Sequence, residues 1–374
     1  MKLRTLAQAP ITKGTRVLVR IDSDVAVTRG SVAATEGYRL DSAIPTLKYL
    51  LAKKAIITII GHRGRPNGKK VTALSLAPVQ KYLEGKLKIK LHFLPNVRFD
   101  SREEKNDIDF ARELAAGQEV FVNESFATSH RAHASVVAIT KILPAFAGLQ
   151  FETELCELSS LIESPEQPLA LLIGGSKLET KVPVISTFLK KADHIFVIGA
   201  AANAFFAADG CAIGKSIVDD ASIAIAKKFK KNKTIVTPND VMVGAAKGGS
   251  KFRAVALEET CELCKPNEAI LDIGPASLIE MSELLAGAKT IVWNGPAGVI
   301  ERTPFGLGSE RIARLLSRLG RGGAHVVVGG GETVSVILGS KMQRGFSHIS
   351  TGGGAMLEYL SGKKLPGVAA LQTK

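Results

Sequence analysis

The sequence predicts an α/β protein with two lobes, each a doubly wound, Rossmann-like parallel sheet, joined by a hinge helix. Short runs rich in β-branched residues alternate with amphipathic stretches along the 374 residues. This alternation is typical of parallel sheets that helices cover on both faces. The runs number roughly ten, more than one sheet comfortably holds, so two sheets are expected. The chain is also long enough for two or three domains with separate cores.

The individual elements follow from two patterns. Each predicted strand is a short apolar run, and each predicted helix repeats apolar residues at helical spacing. In the front half, strands are expected near residues 16–21, 55–60, 89–94 and 119–122. In the rear half, strands are expected near residues 169–173, 194–198, 233–237, 269–273, 290–293 and 324–328. Helices are expected near residues 41–52, 109–116, 184–191, 222–231 and 310–319.

A helix near the middle of the chain marks the boundary between the lobes. Residues 152–162 carry leucines at positions 155, 158 and 161 on one helical stripe. The helix must end before Pro165 and Pro168, because proline cannot continue a helix. We therefore expect an N-terminal lobe over residues 1–150, a hinge helix over 151–165 and a C-terminal lobe over 166–360.

The composition is that of a globular protein that favours anionic partners. Hydrophobic residues make up 45% of the chain, which excludes a disordered class, and the formal net charge is +14. The basic residues are scattered and aromatic residues make up only 5%, so nucleic acid is disfavoured as a partner. The lysine-rich stretch 227–231 is expected to be the solvated face of a helix.

The cysteines and the apolar runs argue for a cytoplasmic protein. Cysteines stand at positions 156, 211, 261 and 264; the last two form a CxxC, but no second pair completes a zinc site. They are expected to be reduced thiols beside a helix. The N-terminus lacks the apolar core of a signal peptide, and no apolar run approaches the roughly 20 residues of a membrane helix. No membrane association is expected.

The front lobe has charged side chains just past its apolar runs. These are Arg20, Asp22 and Asp24 after the first run, His62 and Arg65 after the second, Arg98 after the third, and Arg131 after the fourth, with Arg39 at the start of a helix. The carboxyl ends of parallel strands meet at one edge of a sheet, where ligands bind. Arginine binds anions through forked, charge-assisted hydrogen bonds. Several arginines at one edge favour an acid that carries a phosphate over the alternative of surface salt bridges.

The rear lobe has glycines, instead of arginines, after its apolar runs. The segments are 174–177, 329–333 and 350–355, and each carries two or three consecutive glycines. Glycine lets backbone N–H groups and a helix N-terminus approach a phosphate closely. Lys177 and Lys181 could share a helix face, or Pro183 could start the helix later and leave Lys177 in a loop. The spacing is not that of a Walker motif.

Two further features of the rear lobe suit a nucleotide. Residues 293–298, Trp-Asn-Gly-Pro-Ala-Gly, are interpreted as a tight platform against a flat base or ribose, the alternative being a simple turn. Glu332 could reach a magnesium ion, and Thr333 a phosphate. Together with the acid site of the front lobe, they predict a phosphotransferase that holds its two substrates on two lobes.

At these residues the chain resembles the phosphoglycerate kinase family, and the similarity runs from end to end. The matching segments are Arg20 with residues 22–24, then residues 62–66, 96–99 and 129–133 in the front lobe, and residues 174–177, 293–298 with Glu301, 329–333 and 350–354 in the rear lobe. Residues 365–368 resemble the family's closing segment, so residues 361–374 are expected to return to the N-terminal lobe. That many matches in order exclude coincidence.

The resemblance implies reversible, Mg²⁺-dependent transfer of a phosphoryl group from 1,3-bisphosphoglycerate to ADP, which gives ATP and 3-phosphoglycerate in glycolysis. The residues that would hold the glycerate are Asp22, Asp24, Arg39, His62, Arg65, Arg98 and Arg131. Those that would contact the nucleotide are Gly175, Lys177, Lys181, Gly199, Asn294, Pro296, Glu301, Gly329, Gly330, Gly331, Glu332 and Thr333, with Glu332 also on the metal. Those that would stabilise the transferring group are Arg39, Lys177 and the N–H groups around Gly330 and Gly353. A monomer whose lobes close over the substrates is expected.

Several positions depart from the family pattern. Asp24 stands where the family has asparagine, Ser23 where it has phenylalanine, Arg63 where it has leucine, Ala127 and Ala200 where it has glycine, and Glu332 where it has aspartate. Asp24 adds an anion beside an anionic substrate, and Arg63 could offset it. Asp24 and Arg63 leave open the alternative of a kinase of the same fold for a different carboxylic acid. The net charge of +14 leaves open a weakly catalytic protein that binds nucleotide or nucleic acid.

Overall fold

The computed structural model describes residues 3–249, 251–258 and 261–373. The chain divides into two units. The N-terminal unit takes the described residues of Met1–Leu158, Gly354–Tyr359 and Lys363–Lys374, and the C-terminal unit takes those of Ser159–Gly353 and Leu360–Gly362. Each unit contains a parallel sheet, so the predicted α/β fold with two lobes is confirmed.

Strands and helices alternate along much of the described chain, with a run of four successive strands over residues 235–273. The strands are β1 Arg16–Ile21, β2 Val27–Thr28, β3 Ser31–Val32, β4 Ile56–Ile60, β5 His92–Phe93, β6 Val120–Glu124, β7 Ala145–Ala147, β8 Leu169–Ile173, β9 His194–Val197, β10 Ile235–Val236, β11 Asp240–Ala245, β12 Phe252–Ala256, β13 Glu268–Ile273, β14 Thr290–Asn294, β15 His325–Gly329 and β16 His348–Ile349. The α-helices are α1 Gly37–Asp41, α2 Ile44–Ala52, α3 Ala77–Leu87, α4 Ile108–Ala115, α5 Leu149–Glu163, α6 Val182–Phe188, α7 Ala200–Ala208, α8 Asp220–Phe229, α9 Pro275–Leu284, α10 Leu307–Arg321, α11 Gly331–Gly339, α12 Gly354–Leu360 and α13 Pro366–Ala369. In the described part of the chain, none of the helices has the length and hydrophobicity of a transmembrane span.

The N-terminal unit is built on a five-stranded parallel sheet with the order β5-β4-β1-β6-β7. The central strand β1 pairs on both sides, so that Leu18 lies opposite Thr58 of one neighbour and Phe121 of the other. All of β1 except its first residue is buried, which is typical of a sheet covered on both faces. The carboxyl ends of the strands lie along one edge of the sheet.

The C-terminal unit is built on a six-stranded parallel sheet with the order β10-β9-β8-β14-β15-β16. Its core contains Trp293, Ile312 and Val326, which are all fully buried. Strand β14 lies between β8 and β15, and Asn294 at its end pairs with Ile173 and Gly329. This register brings the three segments that follow β8, β14 and β15 side by side.

One predicted strand belongs to a different kind of sheet. The run near residues 269–273 is β13, which pairs antiparallel with β11 in a three-stranded sheet of order β12-β11-β13. The prediction that it joins a parallel sheet is wrong. An apolar run has the same pattern in either sheet, and the direction is set by the partner strands. The third strand of this sheet, β12, which pairs with β11, exposes its first three residues and so gives no continuous apolar signal.

Helix α5 contributes residues to both units. The buried carboxylate of Glu124 accepts hydrogen bonds from the N–H groups of Gln150 (3.1 Å) and Phe151 (3.2 Å) in its first turn. An anion at a helix N-terminus is stabilising, although burial raises the pKa of Glu124 to about 7. The hinge role that the sequence suggests for residues 151–165 stays a prediction.

The cysteine prediction is wrong for two of the four side chains. Cys211 and Cys261 form a disulfide, whereas Cys156 and Cys264 are free. Two backbone hydrogen bonds join their segments: Ala212 N–H to the Cys261 carbonyl (2.8 Å) and Cys264 N–H to the Ala212 carbonyl (2.9 Å). The bridged positions are 50 residues apart in sequence, so the CxxC spacing gives no sign of this pairing.

A close contact of helix α10 gives a stability prediction. A Cβ atom at Gly320 would lie 2.1 Å from the Gly345 carbonyl oxygen. We expect Gly320→Ala to lower the free energy of unfolding by roughly 1–3 kcal/mol, although alanine is the better helix former. Gly339 in the last turn of α11 has open space around it, so Gly339→Ala should instead raise that free energy by up to about 1 kcal/mol. Urea unfolding followed by circular dichroism tests both variants, and a stabilised Gly320→Ala protein would contradict the contact.

Candidate active site

In the N-terminal unit, a buried arginine connects several of the charged residues that the sequence singles out. Arg20 in β1 is only 1% exposed, and its guanidinium contacts Ser135 Oγ (2.9 Å) and His62 Nδ1 (3.4 Å). Burial lowers the pKa of Arg20, and the carboxylates of Glu103 and Asp22 oppose the shift. A guanidinium buried to this degree requires polar partners.

Asp24 and His62 form a pair just past β1 and β4. Asp24 Oδ2 lies 3.4 Å from His62 Nε2, and Asp24 Oδ1 accepts the Gly64 N–H at 2.8 Å. Burial acts to raise the pKa of Asp24, but the contacts with His62 and Gly64 hold it below its usual range. Burial lowers the pKa of His62 to about 4, and Arg20 and Arg98 act in the same direction. At neutral pH the pair is therefore an ionised carboxylate beside a neutral imidazole.

Arg39 belongs to the short helix α1 and faces the carboxylates that follow β1. Its NH1 atom lies 3.8 Å from Asp22 Oδ2 and donates to the Asp24 carbonyl oxygen at 3.2 Å. Burial raises the pKa of Asp22, and Arg39 opposes this shift. Burial acts to lower the pKa of Arg39, but Asp22 and Tyr38 outweigh it and raise the value.

The other three predicted arginines differ in exposure. Arg98 is buried, donates to the Gly64 carbonyl oxygen (2.9 Å) and lies 3.3 Å from Glu104. Arg131 is half-buried and contacts the side chain of His130. Burial lowers the pKa of Arg98, and the charge of Arg131 adds to the shift. Arg65 is exposed.

Sequence reasoning missed Glu103, a buried group beside these arginines, and gave no role to His133 in the matching segment 129–133. Glu103 is 0% exposed and accepts hydrogen bonds from the N–H and Oγ–H of Ser135 at 2.9 and 2.6 Å. His133 is also buried, with Nδ1 3.7 Å from Glu103 Oε1. Glu103 stands in the charged stretch 102–105, which has the pattern of an exposed turn. Only its position close after the 96–99 segment could have drawn attention to it.

Arg63 and Ser23, two departures from the family pattern, make structural contacts. Arg63 is buried and donates to the carbonyl oxygens of Val25, Ala73 and Ser75. Burial lowers the pKa of Arg63. The charge of Asp24 opposes this shift as a smaller effect. Ser23 is fully buried and donates to the His62 carbonyl oxygen at 2.8 Å.

In the C-terminal unit, the segments that follow β8 and β14 pack directly on each other. Gly174 N–H donates to the Asn294 carbonyl oxygen (2.8 Å), and Gly175 N–H to that of Pro296 (3.4 Å). A Cβ atom on Gly174 would lie 2.4 Å from the Pro296 oxygen, so a side chain has no room there.

The two predicted lysines lie in different environments. Lys177 is exposed in a loop, and α6 begins at Val182 with Pro183 in its first turn. The alternative that left Lys177 outside the helix is therefore confirmed. Lys181 is half-buried and donates to Asn294 Oδ1 at 2.5 Å. Burial lowers the pKa of Lys181 to about 8, against the opposing charge of Glu332.

Two adjoining cavities lie over these segments. The smaller, of about 290 Å³, is lined by residues that include Lys177, Lys181, Asn294, Gly330 and Glu332. The larger, of about 470 Å³, is lined by residues that include Gly199, Leu271, Pro296, Val299 and Glu301. Gly175, Pro296 and Glu332 border both. A small cationic cavity joined to a larger, more apolar one matches the phosphates and the base of a nucleotide.

The first turn of α11 forms part of the smaller cavity. Gly330 precedes it with a φ of +94°, in the left-handed region that favours glycine. Glu332 is exposed, whereas Thr333 is buried and its hydroxyl accepts the Gly295 N–H at 2.8 Å. Gly353, in the second triple glycine, has a φ of +49° and open space around its Cα.

The structure corrects one predicted contact of the larger cavity and adds another. Trp293 is 0% exposed and its indole N–H donates to the Gly295 carbonyl oxygen at 2.8 Å, so the predicted role of Trp293 in a platform is wrong. Every residue of β14 is buried, which leaves no exposed face for the indole. Asp272, which the sequence did not single out, lines this cavity and accepts the Gly308 N–H at 2.8 Å. Burial raises its pKa to about 7.

A cluster of arginines and aspartates at the edge of one parallel sheet and two adjoining cavities at the edge of another would suit a phosphotransferase with two substrates. Comparison with known proteins makes the class specific: the family model described as phosphoglycerate kinase matches residues 8–95 and 89–363. The chain therefore belongs to the phosphoglycerate kinase family, and it is a phosphotransferase whose acceptor is a carboxyl group. The predicted family and activity are confirmed.

Individual relatives are similar over nearly the whole chain. The phosphoglycerate kinase of Pelotomaculum thermopropionicum is 40% identical over 392 residues, with 97% of each chain covered. That of Synechococcus elongatus is 38% identical over 408 residues, with 99% of each chain covered. The solved phosphoglycerate kinase of Coxiella burnetii has a TM-score of 0.84 at 33% identity and covers 99% of this chain and 98% of its own. That of Pyrococcus horikoshii has the same score at 27% identity, with the same coverage.

The buried His133 gives a prediction about acid stability. Burial lowers its pKa to about 3, with Arg20 and Arg98 adding to the shift, whereas an unfolded histidine titrates near 6.5. Between these values the unfolded chain binds a proton that the folded chain does not, so stability falls as the pH falls. We expect His133→Gln to reduce the proton uptake on unfolding between pH 6.5 and 5 by up to one proton.

Urea unfolding at several pH values measures this uptake from the slope of the unfolding free energy against pH. His92→Gln is the matched control, because it removes an exposed histidine from the edge strand β5 of the same sheet. An unchanged slope in the His133→Gln protein would show that the folded state protonates His133 normally.

Proposed function

We propose that the charged residues of the N-terminal unit bind 3-phosphoglycerate and its acyl phosphate. The residues assigned to this site are Asp22, Asp24, Arg39, His62, Arg65, Arg98 and Arg131. The guanidinium groups would bind the substrate phosphate and carboxylate, while the two aspartates accept its hydroxyl and orient the arginines. The ion pair between Arg39 and Asp22 supports the assignment, since it holds a charged guanidinium at the carboxyl edge of the sheet.

The two adjoining cavities of the C-terminal unit are assigned to ATP and ADP. The larger suits the base and ribose, beside Gly199, Pro296 and Glu301. The smaller suits the phosphates, and its assigned residues are Gly175, Lys177, Lys181, Asn294 and residues 329–333. The observation that carries the proposal is Asn294 Nδ2, which is buried without a hydrogen-bond partner in the described part of the structure. A buried donor left unpaired is costly, and a phosphate oxygen would pair with it.

Magnesium would be held by Glu332 together with phosphate oxygens and water. The described residues contain no larger cluster of metal-ligating side chains. A single exposed carboxylate in the phosphate cavity fits, because Mg²⁺ at nucleotide sites uses one or two carboxylates beside the phosphates. When bound, the ion supplies positive charge against the phosphate oxygens.

The side chains and backbone would catalyse transfer by position and charge, without a covalent enzyme intermediate. Arg39, Lys177 and the N–H groups around Gly330 and Gly353 would stabilise the phosphoryl group as it passes between the substrate carboxylate and the nucleotide. Because the two sites belong to different units, we propose that the units close about α5 and exclude water. The division of α5 between the units supports a hinge there.

A coupled assay tests the activity: 3-phosphoglycerate, ATP and Mg²⁺ with glyceraldehyde-3-phosphate dehydrogenase, followed by NADH oxidation. Magnesium-dependent turnover supports the proposal. Absent turnover with intact ATP binding by calorimetry would favour a different carboxylic acid, for which the ionised Asp24 is the motivating observation. A cytoplasmic monomer is also proposed from the family, and light scattering in solution tests its oligomeric state.

Arg39→Ala should reduce turnover by about 10³-fold or more, because a guanidinium that stabilises a transferring phosphoryl group contributes this much. ATP affinity measured by calorimetry should stay nearly unchanged, since Arg39 belongs to the other unit. Arg16→Ala is the control, because Arg16 is exposed and pairs with Glu119 away from the assigned residues. Loss of ATP binding in the Arg39→Ala protein would refute the assignment of Arg39 to the glycerate site.

The lowered pKa of Lys181 predicts a pH dependence of nucleotide use. Its ammonium group is charged below about pH 8 and loses its charge above that value. We therefore expect kcat/KM for MgATP to fall as the pH rises from 8 to 10, because kcat/KM follows ionisations of the free enzyme. Lys181→Arg should remove this fall, since arginine stays charged, whatever its effect on the absolute rate.

Lys228→Arg is the matched control, because Lys228 is an exposed residue of α8. Its profile should follow that of the unaltered protein. A fall of the same size and midpoint in the Lys181→Arg protein would assign the pH dependence to another group.

A further inference from the structure

A fully buried carboxylate lies close to the proposed glycerate site without belonging to it. Glu103 is 0% exposed, and both of its oxygens accept from Ser135, Oε2 from the N–H (2.9 Å) and Oε1 from the hydroxyl (2.6 Å). His133 Nδ1 lies 3.7 Å from Oε1. Burying a carboxylate lowers the stability of the folded state unless the group is closely paired. The residues that pair with Glu103 are therefore the ones to follow.

Ser135 connects Glu103 to Arg20. The Ser135 hydroxyl accepts a hydrogen bond from Arg20 Nε at 2.9 Å while it contacts Glu103. A hydroxyl has one proton to donate, and a guanidinium can only donate. The direction of both bonds is therefore fixed: Arg20 donates to Ser135, and Ser135 donates to Glu103.

Arg20 in turn reaches His62. Its NH2 atom lies 3.4 Å from His62 Nδ1, and His62 Nε2 lies 3.4 Å from Asp24 Oδ2. Because a guanidinium cannot accept a hydrogen bond, Nδ1 must be the unprotonated nitrogen. Because an ionised carboxylate accepts hydrogen bonds and cannot donate them, Nε2 must carry the proton that is shared with Asp24. The contacts on the two sides of the ring agree on one tautomer.

We propose that Glu103, Ser135 and Arg20 are positioning residues that hold His62 as the neutral Nε2–H tautomer, so that His62 offers the glycerate a hydrogen-bond donor but no charge. The proposal deepens the function proposed above and rests on the placement of the glycerate at His62. In the structure, Asp24 Oδ2 is the group that faces the Nε2–H donor of His62. A substrate oxygen would share or replace that contact.

The electrostatics around the ring agree with a neutral imidazole. The charged groups that act on His62 are Arg20 and Asp24 at the end of β1 and Arg98 after β5. Burial is the largest effect and lowers the pKa of His62 to about 4; the two arginines add to the shift, and Asp24 opposes it. The positive charge offered to the substrate is thus left to the arginines.

Nuclear magnetic resonance of the full chain labelled with ¹⁵N-histidine tests the tautomer directly. Two-bond ¹H–¹⁵N correlations at pH 7 distinguish the two neutral tautomers and the imidazolium, and the His62 signals are those missing from a His62→Gln protein. We expect an unprotonated Nδ1 and a protonated Nε2. A protonated Nδ1, in either the other tautomer or the imidazolium, would overturn the proposal.

Ser135→Ala tests the connection through Arg20. Removing the hydroxyl should give His62 a mixture of tautomers and raise KM for 3-phosphoglycerate by about tenfold, with kcat and KM for ATP nearly unchanged. Ser135→Thr, which keeps a hydroxyl, should restore both the spectrum and KM. A Ser135→Ala protein with the original His62 spectrum would refute the role of Ser135.

Ser23→Ala is the matched control, because Ser23 is also a fully buried serine but donates to the His62 backbone carbonyl. The Ser23→Ala protein should keep the single tautomer of His62. A mixture of tautomers in both serine variants would indicate a general loss of order in the site and would count against the proposal. The two proposals fail separately. The expected tautomer without turnover of 3-phosphoglycerate would sink the function alone, and turnover with the other tautomer would sink the positioning role alone.

Discussion

Parallel pairing of the strands is the constraint on which both candidate sites depend. Strands that run in one direction bring their carboxyl ends to a common edge, so residues distant in sequence meet there. In the N-terminal unit this pairing brings Asp24 to His62 and Arg98 to Gly64. In the C-terminal unit the register of β8, β14 and β15 aligns Ile173, Asn294 and Gly329, from which the glycine-rich segments continue.

The two edges use the same geometry with different chemistry. One presents charged side chains, and several of them pair with a neighbour: Arg39 with Asp22 and Asp24 with His62. The other presents backbone, and its close packing depends on the absence of side chains, as at Gly174 against Pro296. A compact acid with two charged ends suits the first edge, whereas an extended polyphosphate with a flat base suits the second.

The sequence predicts the alternating elements and most strand positions because short apolar runs are a local signal. It misassigns β13 because strand direction depends on a distant partner, and it misses the Cys211–Cys261 bond for the same reason. The sequence singles out the candidate residues that follow strands because their position directly after an apolar run is itself a local signal. Glu103 and Asp272 are missed because their importance comes from burial beside residues far away in sequence. Trp293 is misinterpreted because its residue type suits both a core and a platform.

The fluorescence of Trp293 reports on the C-terminal unit separately from the rest of the chain. Trp293 is the only tryptophan in the chain, it is fully buried in the core of that unit, and its indole N–H is bonded to the Gly295 carbonyl oxygen. Its fluorescence therefore reports on the packing of one unit, while far-ultraviolet circular dichroism averages over the helices of both. Denaturation followed by the two signals together separates the cooperative unfolding of the C-terminal unit from that of the whole chain, with no label introduced.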